Sequence, residues 1–95
     1  MKFELGQVVM TNGIAEARRG KVTFNHVFNN EIHEALTKYK NCDWGITCEE
    51  DAEMNNKAII EGKRILAVYP TCCGEIWIIT EWDRSVTTIL FPDEY

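Results

Sequence analysis

The run Glu81-Trp82-Asp83-Arg84-Ser85 carries four side chains with the chemistry of an active site. Glu81 and Asp83 could act as general base or acid, Arg84 as an anion clamp and Ser85 as a weak nucleophile. The two acids are two residues apart, so they share a face only where the backbone stays extended. No histidine adjoins them, and Ser85 has no neighbouring base to activate it. A structural role competes. Asp and Arg suit a turn, and a Glu–Arg pair across a hairpin is a common sheet device. The expectation is a half-buried ion pair between Arg84 and Glu81, Asp83 or the more distant Asp43.

Cysteine and histidine spacing gives no metal signature. Cys42 and Cys48 follow a C-x5-C spacing and Cys72 adjoins Cys73, whereas zinc sites reuse C-x2-C or C-x4-C pairs. Cys42 and Cys48 are expected to be buried by packing, and Cys72 and Cys73 to be exposed turn thiols. His26 and His33 are seven apart, not at the i, i+4 spacing typical of metal-binding histidines on a helix, and read as surface residues. No metal and no cofactor is expected.

The elements that must hold these groups can be read from periodicity. Residues 3–10 form a first strand, broken at Thr11-Asn12-Gly13, with Asn12 placed to cap a short helix that Gly20 ends. Phe24, Phe28, Ile32, Leu36 and Tyr39 then mark one face of a helix. Asn41-Cys42-Asp43-Trp44-Gly45 stops it, with the Trp44 ring packed inward. Thr47 and Glu50 have the spacing of a capping box for the next helix. Glu49, Glu50 and Asp51 favour its N-terminus, Cys48, Ala52, Asn55 and Ile59 follow its inward spacing, and Gly62 ends it. Residues 64–69, 75–82 and 85–91 are β-branched and aromatic, joined by short turns, and read as a three-stranded antiparallel meander. The expected fold is one α+β domain over residues 1–95, in the order β-α-α-α-β-β-β. Ile76, Ile78 and Thr80 would occupy one face of the middle strand, and Trp77, Ile79 and Glu81 the other. Thr80, Thr87 and Thr88 read as strand decoration.

Charge narrows the partners. The chain carries a net −5 at pH 7, and residues 31–62 hold eight acidic and three basic groups. Nucleic-acid binders usually show a basic patch, so nucleic acid is disfavoured and a basic protein partner suits better. No run is long and apolar enough to span a bilayer, and the first ten residues lack the apolar stretch of a signal peptide. A cytoplasmic location is the expectation. The meander carries more apolar surface than three short helices should cover. A homodimer is therefore expected, through a sheet face or edge that Trp77, Ile79, Ile89 and Phe91 help form.

The stretches MKFELGQVV, NCDWG with the following Glu50, Asp51 and Asn55 or Asn56, RILAVY, and IWIITEWDRSVTTILFPDEY resemble a family of small bacterial plasmid-related proteins. These occur on plasmids, integrative elements and prophages. The resemblance covers nearly the whole chain and is strongest over residues 41–56 and 76–95; residues 14–35 depart from it. The family motif falls here on Asp43, Trp44, Gly45, Glu50, Asp51, Asn55 or Asn56, Glu81, Asp83, Arg84 and Ser85, and leaves out Cys72 and Cys73. It implies an accessory role on a mobile element and no particular reaction. The element order also resembles the RelE-like mRNA-cleaving toxins at fold level. Those are basic, whereas here only Arg64, Arg84 and Tyr69 could stand near the final strands.

Two functions follow as expectations. One is a non-enzymatic protein-binding module, active in counter-defence or element maintenance, with Asp43, Trp44, Glu49, Glu50, Asp51, Trp82 and Arg84 at its binding surface. The other is a small nuclease or nucleotide-phosphate enzyme whose site gathers Asp43, Glu50, Glu81, Asp83 and Arg84.

Overall fold

The computed structural model describes residues 3–20 and 22–95, with side-chain surroundings from Phe3 to Gly20 and from His26 onward. The Phe24 step of the expected helix face lies outside them. Strand β1 (Gln7–Met10) leads into helix α1 (Asn12–Arg18), then α2 (Val22–Lys40) and α3 (Glu49–Glu61). Strands β2 (Ile65–Thr71), β3 (Gly74–Thr80) and β4 (Val86–Leu90) follow, and a 3-10 turn (Pro92–Glu94) ends the chain. The α+β class and the element order agree with the sequence reading.

The sheet differs. β2, β3 and β4 pair antiparallel as expected, but β1 adds parallel to β4, giving a four-stranded mixed sheet in the order β1-β4-β3-β2. A parallel partner needs a crossover, and the three helices between β1 and β2 belong to that long connection. β1 is also shorter than expected, because Gly6 breaks it at a φ of +64°. A Cβ at Gly6 would collide with the carbonyls of Arg84 and Ser85, so this approach admits only glycine. The β2–β3 turn is tighter than expected. Pro70, Thr71 and Gly74 join the strands, and only Cys72 and Cys73 form the connection.

One face of the sheet is closed by the helices. Ile65, Ala67, Ile76, Ile78 and Ile89 pack beneath Phe28, Ile32, Ala35 and Tyr39 of α2, with Ile14 of α1 completing this core. The α2 face includes Ala35, expected beside the stripe and buried, while Leu36 is half-buried and Val27, expected on the same face, is 45 % exposed. The helix ends as the sequence suggests, but through a Schellman pattern built on Cys42. The Asp43 N–H donates to Lys38 O at 2.9 Å and the Cys42 N–H to Tyr39 O at 3.1 Å, with Cys42 at a φ of +64°. This C′ position usually holds glycine.

Two expected caps are replaced by other partners. Thr11, not Asn12, is the N-cap of α1, and its hydroxyl donates to Glu94 Oε1 at 2.6 Å; Glu94 Oε2 accepts the Gly13 N–H at 3.0 Å. The C-terminal turn thus supplies the carboxylate that a helix N-terminus favours. Cys48, not Thr47, caps α3, and the Thr47–Glu50 capping box does not form. Thr47 instead donates to Trp44 O and accepts the Val68 N–H at 2.9 Å.

Thr80 and Thr87 are fully buried, not surface decoration. Tyr39 Oη lies 2.8 Å from Thr80 Oγ1, which lies 2.7 Å from Thr87 Oγ1, and Thr87 donates to Leu5 O at 2.7 Å. Because Thr87 spends its single proton on Leu5, the chain runs one way: Tyr39 donates to Thr80 and Thr80 to Thr87. Every hydroxyl in it is satisfied, which is the condition for burying such a row.

Candidate functional site

The turn after β3 is built by its own backbone and by Arg84. The Arg84 N–H donates to Glu81 O at 2.9 Å and the Glu81 N–H to Val86 O at 3.1 Å, while Arg84 takes a φ of +60°. A side chain in this left-handed region costs about 1–2 kcal/mol, so something else must favour arginine here. The expected carboxylate partner is not it. The guanidinium donates to four backbone carbonyls: Lys63 O at 2.7 Å, Ala58 O at 3.0 Å, Glu81 O at 3.1 Å and Trp82 O at 3.4 Å. Ala58 belongs to the last turn of α3 and Lys63 follows it. Arg84 therefore sits at the C-terminal end of α3, where partial negative charge collects, and shares Ala58 O with the Lys63 N–H at 2.9 Å.

The acids around Arg84 have separate tasks. Asp83 Oδ1 accepts the Ser85 hydroxyl at 2.6 Å and the Ser85 N–H at 3.1 Å. The hydroxyl first, and the N–H second, hold the Asp83 carboxyl below its usual range. A carboxylate so stabilised is a poorer general base, and Ser85 has already committed its proton to it. Glu81 reaches Arg64, with Nε to Oε2 at 3.7 Å. Asp43 Oδ1 accepts the Gly45 N–H at 3.2 Å and stabilises the turn that follows α2. Glu49, Glu50 and Asp51 are exposed in the first turn of α3.

The turns at Trp44 and Arg84 lie at one end of the molecule, joined by a residue that the sequence reading overlooked. The Phe3 ring is 6.0 Å from the Trp44 ring and 5.2 Å from the Tyr39 ring, and the Arg84 guanidinium lies 5.9 Å from its centroid. Trp44 packs inward as expected and is 6 % exposed, so it serves the core and not a binding surface. Its indole N–H donates to Asn56 Oδ1 at 3.0 Å, fastening the turn to α3. Gly45 stands against β2 at a φ of +65°, where a Cβ would lie 2.5 Å from Tyr69 Cδ1. The Tyr69 hydroxyl donates to Asp43 O at 2.6 Å. Burial raises the pKa of both Tyr39 and Tyr69, and both phenols stay protonated at neutral pH. The hollow beside Phe3, about 200 Å³, is lined by Phe3, Thr37, Lys40 and Asn41. None of the five candidate catalytic groups is among them.

Asn55 is a second residue whose role the sequence only hinted at, as a polar residue on the inward face of α3. It is 5 % exposed. Its amide donates to Leu66 O at 2.8 Å and accepts the Leu66 N–H at 3.2 Å, as a neighbouring strand would. Next along β2, the Val68 N–H meets Thr47 and Val68 O accepts the Ile46 N–H at 3.0 Å. The β2 edge is thus closed by α3 and the segment before it, a standard protection for an edge strand.

Several sequence expectations need correction here. Cys48 is exposed and Cys42 only half-buried; Cys72 and Cys73 are exposed as expected, as are His26 and His33. Among the described residues no group of three His, Cys, Asp or Glu could hold a metal ion. The residues assigned to a dimer face do not share one. Ile89 is in the helix-covered core, Phe91 stacks on Phe28 at 6.1 Å, and Ile79 is 3 % exposed. Trp77 lies 5.3 Å from the Tyr95 ring, while Arg64 covers that ring at 5.3 Å and donates to its hydroxyl at 2.8 Å. No helix among the described residues is long and apolar enough to cross a membrane. Compared with family models, curated proteins and solved structures, the chain matches none.

Proposed function

We propose that this protein is a non-enzymatic binding module whose partner docks on the outer side of α3. The observation that carries this reading is the contrast between the candidate catalytic groups and that helix. Asp43, Asp83 and Arg84 are engaged in bonds that shape turns, and Arg84 and Tyr69 direct their donors at backbone carbonyls. Helix α3, by contrast, leaves Met54 66 % and Ile60 77 % exposed, Met54 next to the acidic first half that holds Glu49, Glu50, Asp51 and Glu53, and Ile60 beyond Lys57. Exposed apolar side chains on a helix that carries five acids against the single base Lys57 suit a protein surface of basic character. Beside Met54 a groove of about 330 Å³ opens between α3 and β2, with Leu66, Ala58 and Arg64 in its lining. Trp82, 66 % exposed at the tip of its turn, adds a further apolar contact. The setting is a mobile element, where such a protein would act in the cytoplasm in counter-defence or maintenance.

The reading includes a homodimer, now through β1. Parallel pairing turns the polar backbone groups of Gln7 and Val9 toward β4, which directs those of Val8 and Met10 outward.

The deciding experiment compares two sets of variants in cells that carry the parent element. Met54→Glu with Ile60→Glu should abolish the biological effect while the purified protein keeps its melting temperature. Glu81→Gln with Asp83→Asn should leave the effect in place. The opposite pattern, together with RNA or nucleotide hydrolysis by the purified protein that Glu81→Gln removes, would establish the enzymatic alternative instead.

A further inference from the structure

The β2–β3 turn presents two thiols side by side. Cys72 Sγ and Cys73 Sγ are 3.8 Å apart, and both residues are exposed. Two thiolates bound about 2.3 Å from one pyramidal centre, at the S–As–S angle of roughly 95° that trivalent arsenic adopts, would be about 3.4 Å apart, so a small side-chain rotation brings the pair to the bite of a chelate. The turn holds the pair through its backbone. The Cys72 N–H donates to Glu31 Oε1 at 2.9 Å, and the Cys73 N–H donates to Thr71 Oγ1 at 3.1 Å. We propose that Cys72 and Cys73 form a dithiol site for a trivalent arsenical, a ligand that two sulfurs satisfy.

Two competing uses of the pair are less well served. A structural zinc takes four protein ligands, and among the described residues no third His, Cys, Asp or Glu completes a group here. A disulfide would join residues whose Cα atoms are only about 3.8 Å apart, below the usual span of about 4.4–6.8 Å, so it would be strained and easily reduced. Hydrogen bonding to Glu31, followed by a smaller contribution from desolvation, pushes the Cys72 thiol up to about 12. At neutral pH Cys72 therefore rests as the thiol, the form that condenses with an arsenoxide. Two As–S bonds form, the bond from arsenic to oxygen breaks, and both thiol protons leave with that oxygen as water. No electrons are transferred.

The test uses the purified full-length chain with phenylarsine oxide, read by intact mass after washing with excess glutathione. One arsenical per chain should persist and then be released by 2,3-dimercaptopropanol. Cys72→Ser and Cys73→Ser, each checked for a native circular dichroism spectrum, should both lose the retained adduct, and Cys42→Ser with Cys48→Ser should keep it. Retention in either single variant, loss in the Cys42→Ser/Cys48→Ser protein, or no adduct on the wild type after washing would overturn the assignment. This site lies apart from α3, so the result bears on it alone.

Discussion

Replacing Arg84 by alanine removes a guanidinium that bridges the β3–β4 turn to the end of α3. Hydrogen bonds that involve a charged group contribute about 1.5–3 kcal/mol each. The bonds to Lys63 O at 2.7 Å and Ala58 O at 3.0 Å reach across 21 and 26 residues of chain; those to Glu81 O and Trp82 O stay within the turn. Counting the two long-range bonds at the low end, because Arg84 is only half-buried, gives a loss of about 3 kcal/mol for Arg84→Ala. For a domain of this size that is roughly 10–20 °C in Tm. Alanine keeps the cost of the left-handed backbone, whereas glycine does not. Arg84→Gly should therefore be about 1 kcal/mol more stable than Arg84→Ala, though still below wild type. Arg84→Lys should fall between alanine and wild type, because a single ammonium cannot reach both Ala58 O and Lys63 O in the planar geometry of a guanidinium. Urea unfolding of the four proteins, monitored by tryptophan fluorescence, gives the comparison. An Arg84→Ala stability within about 0.5 kcal/mol of wild type, the range of an ordinary surface change, would refute the bridging role. So would a glycine variant less stable than the alanine one.

Asn55→Ala should cost about 1–3 kcal/mol, since it leaves the Leu66 N–H and C=O without their partner. Asn55→Asp should be no better, because a carboxylate cannot donate to Leu66 O; chemical denaturation reads both. Acid stability has a defined sign. The pKa values of Asp83 and Glu94 are lowered in the folded chain, chiefly by the hydroxyls of Ser85 and Thr11. Their contribution is present above the unfolded values near about pH 4 and is lost as pH falls through the lower folded values. Asp83→Asn with Glu94→Gln should flatten the acid limb of a Tm-against-pH curve, and an unchanged limb would count against these caps. Tyr39 and Tyr69 act at the other end. Their raised values mean that stability holds below about pH 10 and declines above it. Val8→Lys should make the protein monomeric in sedimentation at high micromolar concentration without lowering its Tm, since a charge on an open edge blocks strand pairing; a persisting dimer would exclude the β1 edge.

Local patterning was enough to determine the elements. The apolar spacing through Phe28, Ile32 and Tyr39, the Gly62 stop, the inward Trp44 and the alternation of Ile76 and Ile78 with Trp77 all depend on neighbours within a few residues. They appear in the structure where the sequence puts them. The same patterning could not show what meets across long separations. β1 joins β4 across nearly the whole chain, and Glu94 caps the helix that begins at Asn12. A capping box reads correctly from spacing only while no distant group competes, and at Thr47 the Val68 N–H does compete. Asn55, Thr80 and Thr87 looked like ordinary polar residues because burial of a polar group is decided by the partner that satisfies it, and those partners are Leu66, Tyr39 and Leu5. The clearest case is Arg84. Sequence offered it the neighbouring carboxylates of Glu81 and Asp83 and the distant one of Asp43, but the fold brought the carbonyl end of α3 within reach instead. Charge complementarity in the sequence identifies possible partners; only the packing of α3 against β2 fixed which negative end of a dipole stood there.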